Sequence, residues 1–361
     1  MSYGLEILRN DGTKIVSDTM PGGRCFVQVL TLATQTLGTT STYTFSNVPG
    51  GESLRLYTMK AGMHSWSTGT NLSGQAVLNV TAYGTFPAIQ SRLLVFAVKT
   101  TESFSNDIGI SLVNDQGERT VSALYPCSEF LGKVTLNSTP TTTATTADGY
   151  NWYTHDLSTS LGANRTRFIL WNLPSNSDDT WYAGDAYVSS GTSGSYSLQM
   201  QVATKAGSYT LPEGFVFGLD GISASSDTYG VRIYDAGSSL TFDAGLDHMV
   251  IKAIEQGIAF DTSGATNTYT LSSLGSGTPA YSLPPFYSER WTADPNPLNI
   301  SSHVVIKQGF IKRDGSDYKT QVITLQDYTE DSRKNINWTW GVTSGLVVLV
   351  VNSALYGGTN L

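Results

Sequence analysis

The sequence predicts an all-β fold, built as three tandem antiparallel β-sandwich domains with little helix. Three observations carry this expectation. A short pattern recurs: Gly4-Leu5-Glu6-Ile7 running into Asn10-Asp11-Gly12, Gly109-Ile110-Ser111-Leu112 into Asn114-Asp115-Gln116-Gly117, and Gly230-Val231-Arg232-Ile233 into Asp235-Ala236-Gly237. A second block repeats at the same spacing, since Gly4 to Gly230 and Thr42-Tyr43-Thr44 to Thr268-Tyr269-Thr270 are both 226 positions apart. Finally, no amphipathic stretch of helical period appears, while short alternating runs punctuated by Gly, Pro and Asn are frequent. Such internal similarity governs the architecture, because each copy should be one structural unit.

Each copy opens as a hairpin. Alternation places Leu5 with Ile7, Ile110 with Leu112, and Val231 with Ile233 on one strand face. The repeat-defining glycines Gly4, Gly12, Gly109, Gly117, Gly230 and Gly237 bound the turns, where Asn, Asp and Gly tolerate positive φ. The expected domains are residues 1–106, 107–227 and 228–361. The first continues through Phe26–Leu30, Tyr43–Phe45, Ser53–Tyr57 and Ala76–Val80 to the apolar run Leu93–Val98. The second reaches the Thr-rich segment 135–148, expected to be an exposed loop, and then Trp152-Tyr153-Thr154, the counterpart of Thr42-Tyr43-Thr44. It closes through Arg167–Trp171 and Tyr196–Val202 on Phe215–Leu219. The third runs through His303–Lys307 and Thr320–Leu325 to Leu346–Val351, with short turns expected at 253–255 and 331–333. The closing runs are continuous rather than alternating, so each should be a central strand covered on both faces.

Charged residues make up only 14% of the chain, against 40% hydrophobic, so a disordered chain is excluded. The net charge of −8 divides as +2, −7 and −3 over the three units. Without clusters of Lys and Arg, no nucleic-acid partner is expected. The N-terminus lacks a basic and apolar leader, and the longest apolar run, Leu346–Val351, is too short to span a bilayer as a helix; no membrane insertion is expected. Cys25 and Cys127 lie in different units with no ligand or redox spacing, and two small buried side chains are the plainer reading.

No residue set points to catalysis, and no cofactor or metal is expected. The histidines at 64, 155, 248 and 303 form no ligand spacing, and phosphate-loop, dinucleotide and nucleophile-elbow motifs are absent. Asp178-Asp179-Thr180-Trp181-Tyr182 sets carboxylates beside aromatics, as sugar hydrolysis would need, but an acidic turn before a strand explains it as well. Arg313-Asp314-Gly315-Ser316-Asp317 lacks the ligands of a calcium loop and reads as a hairpin turn. Aromatics near turns could stack on sugars or anchor an interface, which makes Trp66, Trp152, Trp181, Tyr182 and Trp291 candidate interaction or glycan contacts. Trp171, inside an apolar strand, reads as core. The six Asn-x-Ser/Thr sequences are what a chain this rich in Ser and Thr produces by accident.

The opening Met1-Ser2-Tyr3-Gly4-Leu5-x-Ile7, followed by Asn10-Asp11-Gly12, Ile15-Val16 and Asp18, resembles the start of a family of uncharacterised tailed-bacteriophage virion proteins that begin Met-x-Tyr-Gly-Leu. Tyr229-Gly230-Val231, returning through Leu240-Thr241-Phe242-Asp243, is closer still to that pattern; the middle copy departs by having Ile108 in place of Tyr. The resemblance covers about fifteen residues per copy. It implies a non-enzymatic structural role in a phage particle, tail-associated (fibre or tail accessory) or decorating. The expected partners are other virion proteins and further copies of the chain, and a host surface glycan is a candidate partner. The chain is expected to be made in the host cytoplasm and released by lysis. A carbohydrate-binding adhesin or receptor-binding protein is the alternative, and a capsular depolymerase the third.

Overall fold

The computed structural model describes residues 7–8, 14–16, 25–31, 38–51, 54–60, 64–82, 92–97, 111–113, 119–122, 127–158, 167–175, 179–184, 187–188, 199–219, 221–226, 230–235, 237–249, 251–270, 278–283, 287–296, 299–332, 334, 336–340 and 346–357. Among these there is no α-helix; a 3₁₀ turn, Ser353–Leu355, follows the last strand. The first repeat contains the hairpin β1 (Ile7–Leu8) and β2 (Lys14–Val16), then β3 (Cys25–Thr31), β4 (Thr40–Pro49), β5 (Leu54–Lys60), β6 (His64–Thr70), β7 (Gln75–Ala82) and β8 (Arg92–Ala97). The second has the hairpin β9 (Ser111–Val113) and β10 (Arg119–Ser122), then β11 (Glu129–Val134), β12 (Thr142–Thr145), β13 (Asn151–Asp156), β14 (Arg167–Asn172), β15 (Thr180–Gly184), β16 (Tyr187–Val188), β17 (Gln199–Thr204) and β18 (Glu213–Gly218). The third has the hairpin β19 (Arg232–Tyr234) and β20 (Leu240–Asp243), then β21 (Ile251–Ile258), β22 (Asn267–Thr270), β23 (Pro279–Tyr281) and β24 (Tyr287–Ala293). It ends with β25 (Ser302–Asp314), β26 (Asp317–Glu330), β27 (Ile336–Trp340) and β28 (Leu346–Asn352).

One strand order occurs three times. The sheets β3-β8-β5, β11-β18-β14 and β21-β28-β23 each set the last strand of a repeat between its first and third. The second layer likewise reads β4-β7-β6, β13-β17-β15 and β22-β26-β25. The continuous apolar runs at 93–98, 215–219 and 346–351 thus supply β8, β18 and β28, all central strands. Registers repeat as well. Each hairpin slips by one residue at the same place: Ile7↔Val16 then Leu8↔Lys14, Leu112↔Val121 then Val113↔Arg119, Ile233↔Phe242 then Tyr234↔Leu240. The first strands share a bulge, which skips position 27 between Phe26 and Gln28, 131 between Phe130 and Gly132, and 252 between Ile251 and Ala253. A bulge kept at one position re-aims the strand in the same way each time.

The second and third repeats do not stand apart. Strands from both sides of residue 227 share a seven-stranded sheet, β11-β18-β14-β23-β28-β21, and a nine-stranded sheet, joined where Trp171 pairs with Tyr281 and Tyr182 with Ile311. The two sheets face one another across one core that includes Ile169, Trp171, Tyr182, Val202, Tyr281, Ile311, Tyr318 and Val350. Separate sandwiches at 107–227 and 228–361 would have left Trp171, Tyr182 and Tyr281 on edge strands. Fusing the edges buries Trp171, Tyr182 and Tyr318 completely, which at roughly 25 cal/mol per Å² of apolar surface outweighs independent folding. The third hairpin adds to the fusion: Cys127 N–H donates to the Thr241 carbonyl at 2.9 Å and Met249 N–H to that of Ser128 at 2.8 Å.

Some local expectations change. The Thr-rich segment is not a free loop: Thr142–Thr145 forms β12 against β13, and its turn reaches β26, where Asp148 accepts from Thr324 N–H at 2.7 Å. Residues 253–255 lie within β21 rather than a turn. Val231 is exposed while Ile233 is buried, because Val231 precedes the strand. In the third hairpin, the left-handed residue is Ser238 at φ 66°, not Gly237; Ser239 N–H bonds the Asp235 carboxylate at 2.7 Å and holds the turn. Gly230 does use its freedom, with φ 147°. Gly4, Gly12, Gly109 and Gly117 lie outside the described residues. The Gly315-Ser316 turn closes the β25–β26 hairpin with Gly315 at φ 61°, as a glycine in the first central position allows.

The shared core leaves no slack at Gly214 in β18. A methyl group there would come within 2.7 Å of Val134 Cγ2, 3.0 Å of Trp171 Cζ3 and 3.1 Å of Ile169 Cγ2. Gly214→Ala is therefore expected to lower the unfolding free energy by about 1–3 kcal/mol through overpacking, measured by urea titration.

Candidate functional site

The aromatic candidates are mostly structural. Trp181 is 2% exposed and Tyr182 fully buried, so neither offers a face to a sugar. Alternation sends Tyr182 into the core between the sheets and Trp181 onto the opposite face, with Phe310, Ile323 and Ala203. Trp291 in β24 is 9% exposed and carries the Lys334 ammonium 4.3 Å above its ring. Trp152 is half-buried against the Trp181 cluster, and its indole N–H is buried without a hydrogen-bond partner. The Trp66 side chain lies outside the described residues.

Asp179 ties three side chains together. Its carboxylate accepts from Trp181 Nε1 at 2.7 Å and from the Tyr150 hydroxyl at 3.1 Å, and Lys205 Nζ stands 3.4 Å away. Burial pulls its pKa upward, but these donors outweigh burial and hold the carboxyl below its usual range. The Tyr150 phenol is pushed up by burial and by the neighbouring Asp179 charge. Asp178 lies outside the described residues. His155 is buried with Nδ1 bonded to the Asn137 carbonyl and Nε2 to the Tyr209 hydroxyl, both at 2.7 Å. Cys127 is buried and forms no disulfide. Among the described residues, no three His, Cys, Asp or Glu are placed to hold a metal ion, and no helix is long and apolar enough to cross a membrane.

A groove that the sequence does not announce lies at the far end of the nine-stranded sheet. β24 and β27 have no counterpart among the described strands of the first repeat and extend the sheet beside the long β25–β26 hairpin. Cross-strand register sets Arg290 beside Val305 and Asp327, and Thr292 beside His303 and Thr329. Arg290, Thr292, His303, Val305 and Thr329, with Asp294, Pro295 and Ser301, line an open groove of about 480 Å³. His303 Nε2 bonds Asp327 Oδ1 at 2.6 Å. Arg290 is exposed, and its five N–H donors form a planar fork suited to a carboxylate. Alternation in Arg290-Trp291-Thr292 could have signalled a polar face, but its neighbours come from other strands.

The most deeply buried charged residue among those described lies elsewhere, where the third hairpin meets the preceding loop. Asp243, 2% exposed, accepts from Ser225 N–H and Gly245 N–H, both at 2.8 Å, and from Arg232 Nε at 2.9 Å. Burial raises its pKa, but these bonds more than compensate and leave it below the ordinary carboxylate range. Its chemistry is that of a clamp. In the shared core, burial pushes the Tyr281 phenol up to about 12, against the lowering effect of Arg313.

No protein-family model, curated protein or solved structure matches the chain. The β fold, its repeated strand order and the groove are therefore read from this molecule alone.

Because the folded-state pKa of Asp243 is depressed, its stabilisation is full above the unfolded-state value and is lost as pH falls through the folded-state value. Asp243→Asn is expected to cost about 1–3 kcal/mol at pH 7. The variant should approach the parent in stability as the pH is lowered through the carboxylate range, followed by urea unfolding at stepped pH.

Proposed function

We propose that the chain is a non-enzymatic structural protein of a tailed-bacteriophage particle, tail-associated or decorating, working through contacts with other virion proteins. The observation that carries this reading is the thrice-repeated strand order. One ancestral sandwich unit, copied in tandem and fused edge to edge, makes a stiff, low-charge surface suited to lateral contacts. The sequence resemblance at the opening hairpin points the same way. The first repeat is the docking unit in this reading. Antibody labelling of purified particles is expected to mark the virion, while a chain found only in particle-free lysate would overturn the proposal. A truncation lacking residues 1–106 that still joins particles would overturn the docking assignment alone.

The groove favours a second reading, attachment to an acidic host polysaccharide. Arg290 would meet a sugar carboxylate while the hydroxyls of Thr292, Ser301 and Thr329 accept or donate to ring hydroxyls. Calorimetric titration with a uronate-containing polysaccharide is expected to show binding that Arg290→Ala weakens at least about tenfold, the loss of one charge-assisted contact. Absence of binding by the parent protein would rule this reading out.

A further inference from the structure

The fusion of the second and third repeats has an approximate twofold symmetry that can be read from register. Equivalent positions follow from the shared bulge: Phe130 corresponds to Ile251, and through the last strands Ile169 corresponds to Tyr281. The pairing Trp171↔Tyr281 then centres on Leu170 and Ser282, which are equivalent residues. In the other sheet, Tyr153 corresponds to Tyr269, so Val202 matches Tyr318 and Trp181 matches Lys312. The pairing Tyr182↔Ile311 centres on Trp181 and Lys312, and Lys312 Nζ does lie 5.3 Å from the Trp181 ring centre. Outside the seven-stranded sheet, Met249 N–H donates to Ser128, again equivalent positions counted back from the bulge. The fourth strand of this fold, β15 or β25, is thus an edge that pairs antiparallel with its own equivalent.

Three repeats cannot all pair two by two. The fourth strand of the first repeat is β6, which hydrogen-bonds β7 and, among the described strands, no other. Its sequence, His64-Ser65-Trp66-Ser67-Thr68-Gly69-Thr70, contains none of the Lys, Pro or acidic residues that commonly protect an open edge. Matching Thr68↔Leu78 to Tyr182↔Val202 makes Ser67 the equivalent of Trp181 and Lys312, at the centre of pairing. Ser67 and Thr68 are exposed. The third strand of this repeat, β5, already approaches β28 of the same chain, which leaves β6 as the edge in question.

We propose that β6 pairs antiparallel with β6 of a second copy of this chain, in the register that β15 and β25 use within one chain. Ser67 then faces Ser67 of the second copy across a twofold axis, residue 66 faces residue 68, and the sheet β4-β7-β6 continues into its mate. The inference rests on register alone and holds whichever particle carries the chain.

The test uses the full chain. Light scattering on the parent protein at micromolar concentration is expected to give twice the chain mass. Ser67→Cys should form, on oxidation, a disulfide-linked dimer that mass spectrometry maps as position 67 to position 67, since facing residues in such a pair lie within bonding reach. Thr142→Cys, on the exposed β12, serves as the control and should not. Ser67→Lys, which sets like charges face to face, should give the monomer mass with an unchanged far-ultraviolet spectrum. A monomeric parent, a dimer that survives Ser67→Lys, or cross-linking no greater than in the Thr142→Cys control would each overturn the proposal.

Discussion

The structure depends on one seam, where Trp171, Tyr182, Tyr281 and Tyr318 meet between the two large sheets. Trp171, Tyr182 and Tyr281 are carried on strands that would be open edges if their repeats stood alone, and Tyr318 stands on β26 between β22 and β25. Tyr281 and Tyr318 have ring centres 5.3 Å apart, and the Tyr182 hydroxyl donates to the Thr210 carbonyl at 2.8 Å. Apolar burial and a satisfied hydroxyl together make separation costly, since opening the seam would wet these rings and free strand edges in both sheets at once.

Two further apolar layers lie on the far sides of the sheets. Phe130, Phe215, Phe217 and Tyr356 cluster on the seven-stranded sheet, with ring centres 4.9 to 6.2 Å apart. Trp181, Phe310 and Ile323 cluster on the nine-stranded one, under the turn that carries Asp148 and Tyr150. This explains how so few charged residues suffice, because both faces of the central strands are covered by the chain itself. The acidic residues of the second repeat are partly spent on ties such as Asp179 and Asp148 rather than spread as a field.

Much of the fold was legible in the residues. Period-two alternation, the copied hairpin motif and the continuous runs at 93–98, 215–219 and 346–351 correspond to strands, to hairpins with one shared slip, and to three central strands. The block pairing Tyr43, Tyr153 and Tyr269 found the second strand of each repeat, since all three tyrosines lean on a core from the same sheet position. The aromatic site was not legible. Trp181 and Tyr182 sit in a polar neighbourhood of sequence, and only alternation into two different cores hides them. The groove was equally silent, because Arg290, His303 and Thr329 come together from three strands.

Local chemistry in the sequence by itself determined that the chain would be strands and turns, and that one unit would recur, since alternation and turn residues act over a few positions. Which edges would close on each other was decided only in the tertiary structure. A strand edge presents the same backbone groups whatever its sequence, so its partner is chosen by the side chains that the resulting layers can bury. That choice fused the second and third repeats into shared sheets and left β6 of the first without a strand beyond it among those described.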